Sequence, residues 1–381
     1  IMHKQITGLR NELVNQFPER KNVIDGSIAA VLAGEHLILI GPPGTAKSLL
    51  VRNIAQAFGG SYFERLLTKF STPEELFGPI SLKALEQDRF VRVTTGKLPD
   101  AEFAFVDEIF KSNSAVLNSL LSIVNERIFH NDGVPVSCPL VSLFGASNEL
   151  PEGKELEALF DRFLLRFDVT YLLVAANLRG VLVGAEPSIT TRLTMVDLRR
   201  AQAEVAGVKI TDDTVDGLLS IRDACRNEGI IASDRRWKKS LKLVKAMAWL
   251  AGEKKTCPED LAILVDSLWR EPKERSKVAR IVGNLADPAS MQSVEILDAA
   301  REIATKVASL KAGDRKLYIA QAAQAVEQFD AQQAKLGELA KGSGRRAKVV
   351  ISDAVAEIQG LHAEVARAVS AGLGLGMRSL R

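Results

Sequence analysis

Aromatic residues are scarce in this chain of 381 residues, at 6 % of positions with three Trp and three Tyr. It therefore lacks the stripe of Arg, Lys and aromatic side chains on which single-stranded bases stack. Net charge is nearly absent too: 50 basic residues against 47 acidic ones leave +3, too little to argue for a nucleic acid or a membrane surface as partner. The three cysteines, Cys138, Cys225 and Cys257, lie far apart in no metal-ligand pattern. They exclude a disulfide framework and read as small buried hydrophobes in a reducing compartment. Four scattered histidines argue against a zinc centre. No apolar run approaches the roughly 18 residues of a membrane span. The opening Ile1-Met2-His3-Lys4 has no signal-peptide core, so a cytoplasmic location is expected. What is present is ordinary globular material, 46 % hydrophobic and 25 % charged, with enough length for two or three domains.

Residues 1 to 175 alternate helical patterns with short apolar runs, the signature of a parallel sheet flanked by helices. The strand candidates are Leu37–Ile40, Ala104–Val106, Val141–Ala146 and Leu164–Val169, with a weaker one at Ser61–Leu66. A linker is expected over 176–208, and an all-helical domain over 209–271. There Thr211 and Ser233 can cap helices, and Pro258 suits the first turn of another. Beyond 272 three amphipathic segments occupy about 290–311, 315–341 and 346–370, with Gly342-Ser343-Gly344 as a hairpin turn. They read as a bundle packed on itself or as a protruding arm, ending in a tail rich in glycine (Gly372, Gly374, Gly376).

The apolar run Leu37–Ile40 empties into Gly41-Pro42-Pro43-Gly44-Thr45-Ala46-Lys47-Ser48, and Leu49 continues into a helical pattern. A strand, a glycine turn and a helix start leave backbone N–H groups without partners and with the helix dipole behind them, a site for polyphosphate. In such a loop Lys47 reaches the outer phosphates and the Ser48 hydroxyl takes a place on Mg²⁺. Ala46 stands where the strict pattern has its second glycine, and it suits the loop if it keeps right-handed angles. Further along, Phe103-Ala104-Phe105-Val106 leads to Asp107-Glu108. Carboxylates at the carboxyl edge of a parallel sheet stand where α/β proteins bind ligands, with Asp107 suited to Mg²⁺ and Glu108 to polarising water. Val141–Ala146 ends in Ser147-Asn148, and an asparagine there suits both the water and the γ-phosphate.

The succession GPPGTAKS, FVDE, GASN, ALFDRF and SDRRW resembles the MoxR branch of the AAA+ ATPases, and most closely its RavA-like subgroup. STPEELFGPISLKAL, LPDAEFAFVDEI, LNSLLSIVNER and SNELPE carry the same resemblance, which covers about residues 5–270. It implies an α/β P-loop AAA+ core, an all-helical lid, and ATP with Mg²⁺ bound by Gly41, Pro42, Pro43, Gly44, Thr45, Ala46, Lys47, Ser48, Leu49 and Asp107. Ser48 and Asp107 are the implied metal ligands, and the family's own alanine before the lysine accounts for Ala46. Glu108 matches the Walker-B glutamate, Asn148 sensor 1, Arg162 the arginine finger and Arg235 the sensor-2 arginine. Arg166 and Arg236 are the alternatives for those last two. The family also implies a hexameric ring that remodels a protein client with a von Willebrand factor A domain partner. Two expected hairpins look familial, one across Gly78–Thr94 and one around Asn131-Asp132-Gly133; either could grip a substrate or brace a subunit interface. The chain departs from the RavA pattern after 290, where it reads as helix without a β-rich insertion, so the partner of that insertion is not carried over. A nucleic-acid motor, a nucleotide-gated scaffold and a metal-chelatase motor subunit are the competing readings.

Overall fold

The computed structural model describes residues 2–185, 188–310 and 315–373, so Gly374 and Gly376 of the expected tail lie outside the described residues. The chain forms two compact units, residues 1–278 and 279–381.

Among the described residues the first unit is built on seven strands: β1 (Leu37–Ile40), β2 (Tyr62–Leu66), β3 (Phe103–Asp107), β4 (Ile128–Asn131), β5 (Val134–Ser137), β6 (Ser142–Ser147) and β7 (Leu165–Asp168). Five of them make a parallel sheet in the order β2-β3-β6-β1-β7. Every residue of β1 is buried, as expected of a strand covered on both faces, and the run Leu-Ile-Leu-Ile supplies the branched side chains for it. The strand candidates are all present, with ends shifted by one residue or so. The helix Lys21–Ala33 lies close enough to β7 that Gly26 leaves room for the Phe167 ring; a Cβ there would sit 2.2 Å from Phe167 Cζ.

The 176–208 stretch, expected as a linker, instead carries the helices Ala175–Val183 and Met195–Ala206. The second has a physical basis in the stripe Leu198, Ala201, Val205, all buried, and in a reciprocal cap between Thr194 and Asp197. The helices Asp212–Asn227 and Asp234–Leu250 follow, capped by Thr211 and Ser233. Pro258 opens a 3-10 helix to Leu264 before one α turn, Val265–Leu268. Buried Glu35 ties this region to the sheet, accepting from Lys239 and Lys242 at 2.8 Å each.

The expected hairpin across Gly78–Thr94 is reduced to a single antiparallel bridge, Ile80 to Arg92. Ser81 caps a helical turn, Leu82–Leu85, and so draws the chain out of strand geometry after one pair. The second hairpin forms in full as β4-β5, with Asp132 and Gly133 at φ +55° and +75°, as the tightest right-twisting hairpin turn requires. The two insertions lock together. Asn131 accepts from Arg92 N at 2.7 Å and returns a bond to Arg92 O, while Asp132 accepts from Phe90 N at 2.9 Å. Arg127, at the base of β4, donates to Gly34 O and Leu140 O, both at 2.8 Å.

In the second unit the helices Pro288–Ser309, Arg315–Lys341 and Arg345–Leu373 share a core that includes Phe329, Leu336, Ile351 and Ile358. Small residues at Ala300, Ala322, Ala325, Ala347 and Ala354 are buried in the same core, which allows the backbones a close approach. The sequence places Ile351, Ala354, Val355, Ile358, Leu361, Val365 and Val369 on one stripe of the last helix; Ile351, Ala354, Ile358 and Val365 are buried in this core, Val355 and Leu361 pack against it, and the side chain of Val369 lies outside the described residues.

Gly26→Ala is expected to cost on the order of 1–3 kcal/mol through overpacking against Phe167. A urea unfolding midpoint checks it.

Candidate nucleotide site

The loop after β1 is held by its own backbone. Gly41 N donates to Ser147 O at 2.9 Å, and Gly41 sits at φ +148°, where a Cβ would lie 2.0 Å from Val169 O. Gly44 takes φ +77° with open space at its Cβ position. Ala46, expected at right-handed angles, is instead left-handed, at φ +61° and ψ +26°. The turn that aims the helix Lys47–Phe58 needs that conformation, and a residue with a Cβ accepts it at a cost of roughly 1–2 kcal/mol. The first helical bond runs from Leu50 N to Ala46 O at 3.1 Å. The amides of Lys47, Ser48 and Leu49 thus begin a helix with no carbonyl one turn back, and no side chain of Ala46 caps them.

Lys47 is half-buried and folds over this loop, its Nζ donating to Gly41 O and Pro42 O at 2.8 Å each. Burial lowers its pKa from the usual lysine value; Asp107 and Glu108 oppose that, and Arg20 adds to it. The carboxylates and the lysine therefore share one electrostatic neighbourhood. Asp107 ends β3, and its Oδ1 accepts from Glu108 N at 2.9 Å. Glu108 is also left-handed, at φ +51°, and faces Lys111 at 3.4 Å. Asn148 follows β6, exposed, one residue beyond the Ser147 carbonyl that holds Gly41. Residues 41–49, Asp107, Glu108 and Asn148 thus converge on the carboxyl edge of the sheet.

Arg162 and Arg235 do not. Leu164 N, just before β7, donates to His36 O just before β1, whereas Val169 N donates to Ile40 O at the far end. Arg162 precedes Leu164 and so belongs to the amino edge, about 13 Å of strand away from the loop. It is half-buried beside Asp161 at 3.8 Å, with its Nε unpartnered among the described residues. Arg235 donates to Asn125 Oδ1 at 2.8 Å, near the end of the helix Ser114–Glu126, also on the amino side. The two alternatives are committed elsewhere. Arg166 is 2 % exposed, lies 4.0 Å over the Phe160 ring and donates to Trp269 O. Arg236, 3 % exposed, donates to the carbonyls of Asp161, Phe163, Leu164 and Ser267 at 2.7–2.9 Å. Burial lowers the pKa of both. These two arginines hold the helical region against β7.

The structure also adds residues to the loop's surroundings. Phe17, Arg20 and Val23 line a small pocket with Thr45, Lys47, Leu50 and Val169. Arg20 is half-buried and donates to Thr170 O. Nothing in the spacing of these residues marks them, because they come from the reversal between the first two helices; Pro18 is the one local hint of that reversal.

A parallel sheet with a phosphate-type loop after β1, two acids at the end of β3 one strand beyond β6, and a helical lid define an AAA+ ATPase architecture. The sequence comparisons narrow it. Residues 4–199 match the MoxR domain found in MoxR-vWA-beta-propeller ternary systems, and residues 213–282 match an AAA lid domain. The chain belongs to the MoxR family of AAA+ ATPases. It is 46 % identical over 296 residues to an uncharacterized protein of Methanocaldococcus jannaschii, a match covering 76 % of this chain and 79 % of that one. A second protein of that organism is 42 % identical over 318 residues, covering 83 % and 82 %. The chaperone MoxR1 of Mycobacterium tuberculosis is 28 % identical over 153 residues, 39 % of this chain and 40 % of that protein. In fold, a crystal structure from Cytophaga hutchinsonii, described there as an ATPase, matches with a TM-score of 0.61 at 19 % identity over 74 % of this chain and 94 % of that one.

Ala46→Gly is expected to stabilise the protein by about 1 kcal/mol, since glycine takes the left-handed angles without the Cβ penalty. Thermal unfolding checks it. Arg236→Ala should cost about 3–5 kcal/mol by removing the shared donor of four carbonyls and the shortest ion pair of Asp161, and Arg235→Ala under about 0.5 kcal/mol. Paired denaturation curves of the two variants separate these roles.

Proposed function

We propose that this protein hydrolyses ATP at a site shared between neighbouring copies, and uses the turnover to remodel a protein client. The observation that carries this reading is the division of the candidate residues between two sheet edges. The loop, Asp107, Glu108 and Asn148 stand at one edge, and Arg162 and Arg235 at the other. In a head-to-tail ring the second edge of one copy meets the first edge of the next.

In this reading the amides of residues 44–49 cradle the β- and γ-phosphates, with Lys47 drawn from its own loop carbonyls onto phosphate oxygens. Ser48 and Asp107, two hard oxygen donors beside the cradle, would hold Mg²⁺, which supplies positive charge to the phosphate oxygens when bound. Glu108 orients and polarises the attacking water, and Asn148 holds that water against the γ-phosphate. Arg162 of the next copy places a planar cation on the equatorial oxygens, where the loose transition state spreads its charge. Arg235 completes the cluster from the same side. Arg166 and Arg236, both buried and bonded to backbone carbonyls, keep the edge that presents Arg162 rigid.

A hexamer, a von Willebrand factor A domain partner and kinship with the RavA-like subgroup follow the same line. The matched domain is described in systems with such a partner, and the motifs between Ser71 and Glu152 are those of the resemblance. The division into core (1–175), lid (209–271) and arm (272–381) is proposed on that basis as well.

Lys47→Ala should abolish ATP binding, measured by calorimetry, while Glu108→Gln binds ATP and fails to release phosphate. Arg162→Ala should bind ATP nearly as the parent does and lose on the order of 10³-fold or more in turnover. Normal turnover in Arg162→Ala sinks the shared-site reading.

A further inference from the structure

The helix Ala175–Val183, sequence AANLRGVLV, has no buried residue although Arg179 is its single charge. Leu173, Leu182 and Val183 are 84 %, 74 % and 79 % exposed, and Val174, Leu178 and Val181 stand near half. A helix apolar around its circumference persists where something covers it, and contiguous apolar surface of this kind marks an interaction site. The segment is firmly placed. The Glu19 carboxylate accepts from Leu173 N, Val174 N and Asn177 Nδ2 at 2.9–3.0 Å, and Arg20 holds Thr170 O. Arg20 also lines the pocket under the glycine loop, so the apolar helix is anchored at the nucleotide edge of the sheet.

Nine residues are too few to span a bilayer, and a single arginine does not make the cationic face of a helix that lies on one. A second copy of the chain fits better. The edge that bears the helix is the edge that lacks Arg162 and Arg235, and those residues reach it only when another copy is seated there. We infer that the surface from Leu173 to Val183 is the seat of that copy, docked head to tail; the inference rests on the shared-site reading above. A head-to-tail contact pairs two different patches. The opposing patch is the amino edge, where Ile231 stands 62 % exposed beside the Ser233 cap and Arg235.

The test places p-benzoylphenylalanine at Leu182 in the full chain, illuminated with Mg²⁺ and a slowly hydrolysed ATP analogue. The expected product is a covalent dimer whose second peptide contains Ile231–Arg235 or Asp161–Phe163. A cross-link from helix to helix between copies, or no chain-to-chain product, overturns the inference, as does capture of an unrelated protein alone. Leu182→Glu, at a position with no core contact to lose, is expected to weaken self-association at least about tenfold in sedimentation while single-chain ATP binding stays unchanged. If Leu182→Glu assembles like the parent while Arg162→Ala still loses turnover, this surface is wrong and the shared site stands. If Arg162→Ala turns over normally, the shared site itself falls.

Discussion

The helix that begins at Lys47 opens with amide groups that no carbonyl among the described residues reaches, and the surrounding architecture keeps them that way. They stay available because the preceding turn is held in conformations that glycine favours, with Gly41 against Val169 O and Ala46 forced to positive φ. The fully buried strand β1 delivers that turn to the sheet edge between the ends of β6 and β7. The adjacent β6 and the next strand over, β3, can then bring an amide and carboxylates to the same edge. The charges gather accordingly: the half-buried Lys47 feels Asp107 and Glu108, which favour its charged form, and Arg20, which opposes it.

The core was legible in the sequence to the extent that its period was unambiguous. Leu37–Ile40 and Phe103–Val106 read as buried parallel strands, and each ends in the residue type that its sheet edge requires. The stretch between Gly78 and Thr94 did not read correctly, because β-type residues at Phe90–Thr94 outweighed a single serine cap that turns Ser81–Leu85 into helix. Ala46 was misread for a related reason: local propensity favours right-handed angles, and the demand for the left-handed ones comes from how the loop must meet Ser147 and Val169. Nothing local foretells that Arg166 and Arg236 are buried while Arg162 and Arg235 are not. That distinction is set by the carbonyls of Trp269 and Ser267, which lie 103 residues from Arg166 and 31 from Arg236 along the chain and meet them only on folding.

Arginine therefore plays two separate parts within a few residues of β7. Where carbonyls surround it, the guanidinium is a structural cross-link between sheet and helices, and its charge is spent on the protein itself. Where one carboxylate is the near neighbour and at 3.8 Å a loose one, as at Arg162, the guanidinium is tied far less tightly to its own chain. Glu35, buried under Lys239 and Lys242, makes the same kind of internal commitment at the base of the lid helix.

The interlocked insertions have a mechanical meaning. Because Asn131 and Asp132 grip the backbone at Arg92 and Phe90, the two loops cannot be displaced separately. A tug on the exposed Phe90 ring travels down β4 to Arg127, whose guanidinium grasps the carbonyl of Gly34 shortly before β1 begins. The far end of β1 is the glycine loop. A load taken up at the surface is thus geared directly to the strand that carries the glycine loop.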